Sequence, residues 1–282
     1  MAYLDSPIGV FDSGIGGLTV LKGLIEHLPS ERWIYLGDTA RLPYGNKSSE
    51  TIRNYTLKNL KFLTQFKCKA FVIACNSAST QFNDPFFEEV PVFNVIDPGI
   101  KAALSLGLDK RIGILGTKAT IQSQVYTKKL QAAHYTGEIF SQACPLFVPL
   151  VEEGLFEDPI TDLVISKYLS EMKKVKIESL ILGCTHYPLL KKSILDFFAN
   201  NFAASDQDPY QINLINSAFY LSDMIKKKNL VKNHHSQKTQ NLPIEIMTTD
   251  DYRNVKDLTL KILQGHATCF ETVDIESHNS SS

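Results

Sequence analysis

No apolar run in the 282 residues approaches the ~18 that a membrane-spanning helix needs, so no such helix is expected. The opening stretch, "MAYLDSPIGVFDSG", lacks the basic and apolar regions of a signal peptide, so a cytoplasmic protein is expected. Neither sign of charge is in excess: 29 Lys and Arg against 30 Asp and Glu leave a formal net charge of −1. No global field then recruits nucleic acid or an anionic membrane. The five cysteines, Cys68, Cys75, Cys144, Cys184 and Cys269, contain no C-x-x-C pair and are odd in number. They read as free thiols of a reducing compartment, each in the first instance a small buried hydrophobe. Closely spaced ligand pairs are missing too, so no zinc or other metal site is expected. His234 and His235 fall in the basic polar stretch 226–243, read as a helix end and a solvated loop, and the tail "ESHNSSS" reads as frayed.

What is present is alternation. "IGVF" (8–11), "WIYLGD" (33–38), "AFVIAC" (70–75), "VPVFNVI" (90–96), "RIGILG" (111–116), "SLILGC" (179–184) and "YQINLIN" (210–216) read as strands. Helical spacing appears between them in "GGLTVLKGLIEHL", "SSETIRNYTLKNLKFLTQF", "PGIKAALSLG", "TIQSQVYTKKLQAA" and "DPITDLVISKYLSEMKK". This predicts an α/β fold with mainly parallel sheets, the strands apolar because both faces are covered. The first half offers "IGVFDSG" and then "FVIACNSAS"; the second offers "IGILGTKAT" and then "LILGCTHYP", at nearly the same separation. Two similar α/β units are therefore predicted, each with a strand that ends in a cysteine.

Ligands in open α/β sheets bind beyond the carboxyl ends of the strands, where Cys75 and Cys184 both fall. Two opposed thiols suit the inversion of a carbon centre. One removes a proton from one face and the other returns a proton to the opposite face. A free thiol ionises near pH ~8.5, so both forms are within reach at neutral pH. His186, two residues past Cys184, is placed to lie on the same side if the chain stays extended. "VFDSGIGGLTVL" (10–21) runs from a strand through a Gly-rich turn into a helix, a junction whose N–H groups can bind a carboxylate. It is no Walker A loop, since Ile15 stands where Lys is required, and no dinucleotide fingerprint, since Thr19 replaces the third glycine. Asp12 there is either a helix cap or a functional carboxylate. "GDTARLPYGNKS" (37–48) is either simple turn chemistry at Pro43, Tyr44 and Gly45 or a loop that presents backbone and a phenol to a polar ligand.

Taken together, "GVFDSGIGGLTVL", "GDTARLPYG", "VIACNSAS", "FVPLVEEG" and "LGCTHYPLL" resemble the glutamate racemases of the cofactor-independent aspartate/glutamate racemase superfamily, over roughly residues 8 to 220. The resemblance implies two pseudo-symmetric α/β domains with the active site in the cleft between them. It implies racemisation of free glutamate without pyridoxal phosphate, other cofactor or metal, supplying D-glutamate for peptidoglycan. By resemblance, Cys75 is the base for D-glutamate and Cys184 the base for L-glutamate. Asp12 is the auxiliary of Cys75; His186 and Glu152 are those of Cys184, with the adjacent Glu153 a rival for the last role. Asp12, Ser13, Pro43, Tyr44, Gly45, Cys75, Asn76, Ser77, Cys184, Thr185 and His186 are the implied substrate contacts. Many relatives carry Thr in place of Ser77, which keeps the hydroxyl. Aspartate-acting relatives tend to carry an acidic residue in place of His186, so glutamate is favoured over aspartate or another α-substituted acid. The C-terminal segment is expected to return to the first domain, giving residues 1–97 with 211–282 as one domain and 98–210 as the other. Relatives often form dimers, so a homodimer is a further expectation; neither nucleic acid nor membrane is an expected partner.

Overall fold

The computed structural model describes residues 2–199, 211–231, 243–266 and 268–276. Strands β1 (Ile8–Asp12), β2 (Trp33–Gly37) and β3 (Ala70–Ile73) are buried at every residue. Continuous apolar runs of this kind belong to parallel strands covered on both faces. The chain between them is helical. In α1 (Leu18–His27), Leu18, Leu21, Leu24 and Ile25 turn inward at helical spacing. Helix α2 (Ser49–Thr64) begins where the Ser48 hydroxyl accepts the Thr51 N–H at 3.2 Å. The single turn α3 (Asn76–Ser79) follows Cys75; β4 (Phe86–Phe87) runs antiparallel to β5 (Val90–Asn94). The Asn94 side chain then takes the N–H groups of Ile96 and Asp97, at 2.9 and 3.0 Å, and so starts α4 (Ile96–Leu104).

The second series contains β6 (Ile112–Gly116), α5 (Lys118–Ser123), α6 (Val125–Ala132), β7 (Ile139–Ala143), α7 (Phe147–Glu152), α8 (Pro159–Lys174), β8 (Ser179–Gly183), α9 (Lys191–Ala199) and β9 (Asn213–Ile215). After it come α10 (Ala218–Lys227), β10 (Ile244–Thr248), α11 (Lys256–Ile262) and β11 (Thr268–Thr272). The contacts divide the chain into two units, Met1–Pro98 with Ser217–Ser282, and Gly99–Asn216. Among the described residues the first unit holds a seven-stranded sheet ordered β11-β10-β2-β1-β3-β5-β4, and the second a four-stranded sheet ordered β7-β6-β8-β9. Every pairing is parallel except β4 with β5. In the second unit Phe147, Val151, Ile165, Leu169, Leu180 and Ile194 are fully buried in one apolar cluster, each contributing about 1.5–3 kcal/mol of burial.

The α/β reading with mainly parallel sheets stands. Details differ. The stretch expected as one helix over 120–133 is two, because Gln124 adopts φ 56° between α5 and α6. Ser123 stabilises that break: its hydroxyl donates to the Thr120 carbonyl at 2.6 Å and accepts the Val125 N–H at 3.2 Å. Strands β4, β7, β10 and β11 went unpredicted. Residues 211–216, expected in the first domain, group with the second unit because β9 pairs with β8. His234, His235 and residues 277–282 of the tail lie outside the described residues. No helix among the described residues is long and apolar enough to cross a membrane.

Candidate active site

The two units share a strand plan that fixes where the thiols stand. In the first, β1 is flanked by β2 and β3, with Ile8 paired to Trp33 and Ala70. In the second, β6 is flanked by β7 and β8, with Ile112 paired to Ile139 and Ser179. Counting along each ladder, Cys75 falls level with Ser13, just past the end of β3. Cys184 falls level with Thr117, just past the end of β8. The same registration matches Asp12 with Gly116 and Ser77 with His186. Both cysteines are buried and both are free thiols.

Around Cys75 the polar groups are short-range. Its thiol donates to Ser13 Oγ at 3.5 Å, and its sulfur accepts the Ala78 N–H at 3.5 Å, so it caps α3. Asp12 is fully buried. Its Oδ2 accepts the N–H groups of Gly14 and Gly17, each at 3.1 Å. The carboxylate therefore ties down the turn that leads into α1 but is not its cap, since the N-cap is Gly17 and makes no side-chain cap hydrogen bond. Gly17 is required there: a Cβ would stand 2.5 Å from Asp12 Cβ and 2.8 Å from the Tyr35 hydroxyl. Asn76 and Ser77 are buried in the α3 turn.

The loop after β2 answers the question left open at Tyr44. Its phenol is not offered to a ligand. It donates to Asp38 Oδ2 and accepts from Asn59 Nδ2, the latter at 2.9 Å. Burial, and then the Asp38 charge, push the Tyr44 phenol far above its ordinary pKa, so it stays a neutral donor. Asp38, which the sequence reading passed over, is the hub of this loop. It is fully buried, pairs with Arg41 Nε at 2.8 Å and accepts from Thr249 Oγ1 at 3.0 Å. What Pro43, Tyr44 and Gly45 present is therefore ring and backbone: Pro43 is exposed, while Tyr44 and Gly45 are buried.

Around Cys184 the polar groups form a chain. Cys184 Sγ lies 3.9 Å from His186 Nδ1, and His186 Nε2 lies 3.3 Å from Glu152 Oε1. The last contact separates Glu152 from Glu153, which ends α7 as its C-cap. The Glu152 contact has ion-pair distance but not hydrogen-bond geometry, and the tautomer with its proton on Nε2 would leave Nδ1 to accept from the thiol. His186 is buried, whereas the Glu152 side chain is 33% exposed. Thr185 is buried between the cysteine and the histidine. Gly183 lets β8 approach β6 closely, since a Cβ would stand 2.5 Å from the Leu115 carbonyl oxygen. Thr117, unremarked in the sequence, takes the place of Ser13. Its hydroxyl accepts the Thr120 N–H at 3.2 Å and donates to Thr120 Oγ1 at 3.1 Å. The internal match of "IGVFDSG" with "IGILGTKAT" already aligns Ser13 with Thr117 and could have found it.

Among the described residues no group of three or more His, Cys, Asp or Glu is placed to hold a metal ion. Each unit instead brings one thiol, hydroxyls and one carboxylate to the carboxyl end of its sheet, a donor set suited to proton transfer. A family model for Asp/Glu/hydantoin racemases matches residues 8–202. The glutamate racemase of Aquifex aeolicus is 43% identical over 258 residues, 91% of this chain and 93% of its own length. That of Aquifex pyrophilus is 47% identical over 211 residues, 74% of this chain and 82% of its own. A solved glutamate racemase from Francisella tularensis, in complex with D-glutamate, superposes with a TM-score of 0.83 at 34% identity, covering 97% of this chain and 99% of that one.

Proposed function

The chain belongs to the Asp/Glu/hydantoin racemase family, and we propose that it is a glutamate racemase working by two thiols. The observation that carries the mechanism is the registration of Cys75 with Cys184 at the same strand-end position of two like-ordered sheets. D-glutamate loses its Cα proton to the Cys75 thiolate, the C–H electron pair staying on Cα. The Cys184 thiol then delivers its proton to the opposite face, giving L-glutamate and a Cys184 thiolate. The reverse reaction exchanges the two roles. Asp12 assists Cys75, and the His186–Glu152 pair assists Cys184. Ser13, Asn76, Ser77, Thr185 and the backbone of Pro43–Gly45 hold the substrate's carboxylates and ammonium group. Neither metal nor cofactor enters a step. The product D-glutamate serves peptidoglycan synthesis, and the enzyme acts in the cytoplasm.

The test is incubation of the purified protein with L-glutamate in D₂O under reducing conditions, with no added cofactor. Optical rotation and the α-proton NMR signal are followed together, with aspartate in a parallel sample. Loss of rotation in step with deuterium at Cα is expected for glutamate, and little or none for aspartate. A preference for aspartate would overturn the substrate, and exchange without loss of rotation would overturn the inversion.

A further inference from the structure

Two buried tyrosines stand beside the two thiols, and the steps above use neither. Tyr35, in β2, is fully buried, and its hydroxyl donates to the Gly14 carbonyl at 2.7 Å. Gly14 also gives its N–H to Asp12 Oδ2. The phenol thus fixes the outgoing carbonyl of the residue whose amide holds the carboxylate. Tyr187, also fully buried, follows His186 directly. Its hydroxyl donates to the Cys144 carbonyl at 2.9 Å, and its ring meets Phe147 edge-on at 5.1 Å. Phe147 opens α7, and α7 ends at Glu152. The Tyr187 bond therefore closes a ring, with residues 184–187 on one side and residues 144–152 on the other, and the Glu152–His186 contact lies inside it. Burial comes first in holding both phenols far above their ordinary pKa. Asp12 and Cys75 add to it at Tyr35, Cys184 and Cys144 at Tyr187. Both are permanent neutral donors and take no part in proton exchange. They are not topological counterparts: Tyr35 pairs with Val10 inside a ladder, and Tyr187 lies past the end of β8.

We propose that Tyr35 and Tyr187 are paired positioning residues, each holding in place the carboxylate that assists one thiol. Tyr35 acts through Gly14 on Asp12 and so on Cys75; Tyr187 acts through the Cys144–Glu152 segment on His186 and so on Cys184. The inference rests on the two-thiol reading.

Rate alone cannot test it. Enantiomers have equal free energy in water, so any variant must lose kcat/KM equally in both directions. What differs is which proton transfer limits turnover. Tyr187→Phe raises the barrier at Cys184. The primary deuterium isotope effect on kcat/KM therefore rises with α-deuterated L-glutamate and falls with α-deuterated D-glutamate. Tyr35→Phe gives the mirror image. Each variant loses kcat/KM by about fivefold, the scale of one hydrogen bond. Isotope effects are ratios within each turnover, so a smaller folded fraction leaves them unmoved.

Mirrored shifts in the two variants establish the pairing. Isotope effects that stay at the parent values, or move together in both variants, overturn it and leave the tyrosines as core packing. Mirrored shifts with the enantiomers exchanged keep the pairing and overturn the assignment of Cys75 to D-glutamate. Cys75→Ser and Cys184→Ser run alongside separate the two levels. If both are inactive and the tyrosine variants show no mirrored shift, only the positioning inference falls. If either is fully active, the two-thiol reading falls and takes the pairing with it.

Discussion

The two units are alike in scaffold and unlike in chemistry. Both place a thiol just past the strand beside the central one, level with a hydroxyl, Ser13 in one and Thr117 in the other. The side chains around the thiols do not correspond. Asp12 of the first unit is matched in the second by Gly116, which has no side chain. His186 of the second is matched in the first by Ser77. The first unit has, one residue before Ser13, a carboxylate sealed from water and held by two backbone amides. The second has, beside its thiol, an imidazole whose neighbouring carboxylate reaches solvent. On the two-thiol reading, a nearly symmetric reaction fixes the placement of its two bases and leaves their tuning to whatever side chains each unit can bring.

The comparison breaks at its strongest point if one thiol is dispensable. Cys75→Ser and Cys184→Ser are each expected to lower racemisation by at least about 10³-fold, because a hydroxyl is a far weaker base than a thiolate near neutral pH. Polarimetry with each pure enantiomer measures it. A variant retaining a tenth of parent activity would make the surviving thiol sufficient and the likeness of the units accidental. The next test sharpens the difference between assistants. Asp12→Asn keeps an oxygen for Gly14 and Gly17 but removes a charge that no water screens, and should cost about 10²-fold in kcat. Glu152→Gln removes a charge that water already screens, and should cost about tenfold. Equal losses in the two variants would show that burial does not set their weight.

The sequence was most informative where burial is deepest. The strands β1, β3 and β6, wholly buried, and β8, buried at all but Leu182, announced themselves as apolar runs, and the thiols at the ends of β3 and β8 came with them. The edge strands β4, β7 and β11 stayed hidden, and so did β10, although it pairs on both sides and is buried at all but Glu245. In β7, Ser141 and Gln142 interrupt the apolar pattern because the strand is only half-covered, and β11 alternates Thr, Cys, Phe, Glu and Thr at the far edge of its sheet. Tertiary contacts were hidden too. The choice of Glu152 over Glu153 needs the position of His186, and the fate of the Tyr44 phenol needs Asp38 and Asn59, which are far from one another along the chain. The domain boundary was displaced for a similar reason: the short strand β9 declares its unit only by its partner, β8.

The smallest expected effect lies at the opposite ends of the same sheets. The first unit closes that end with a pair hidden from solvent, Lys69 and Glu31, with Lys69 Nζ also donating to the Leu4 carbonyl at 2.7 Å. The second uses Glu178 on its surface, which accepts the Arg111 N–H at 2.9 Å and pairs with Lys110 at 3.0 Å. The Arg111 N–H first, and Lys110 second, hold the Glu178 carboxyl below its ordinary range. A carboxyl depressed in the folded state contributes stability above its unfolded pKa, near ~4.3, and that contribution is lost as pH falls through the lower, folded value. Both partners are exposed, so Glu178→Gln should cost under about 1 kcal/mol near neutral pH. The difference from the parent should shrink as pH drops below ~4 and as salt shortens the reach of the charges. Thermal midpoints of the two proteins across pH and salt give the answer. A gap that persists unchanged in acid and at high salt would assign the role of Glu178 to packing, and the two ends would then differ in exposure but not in kind.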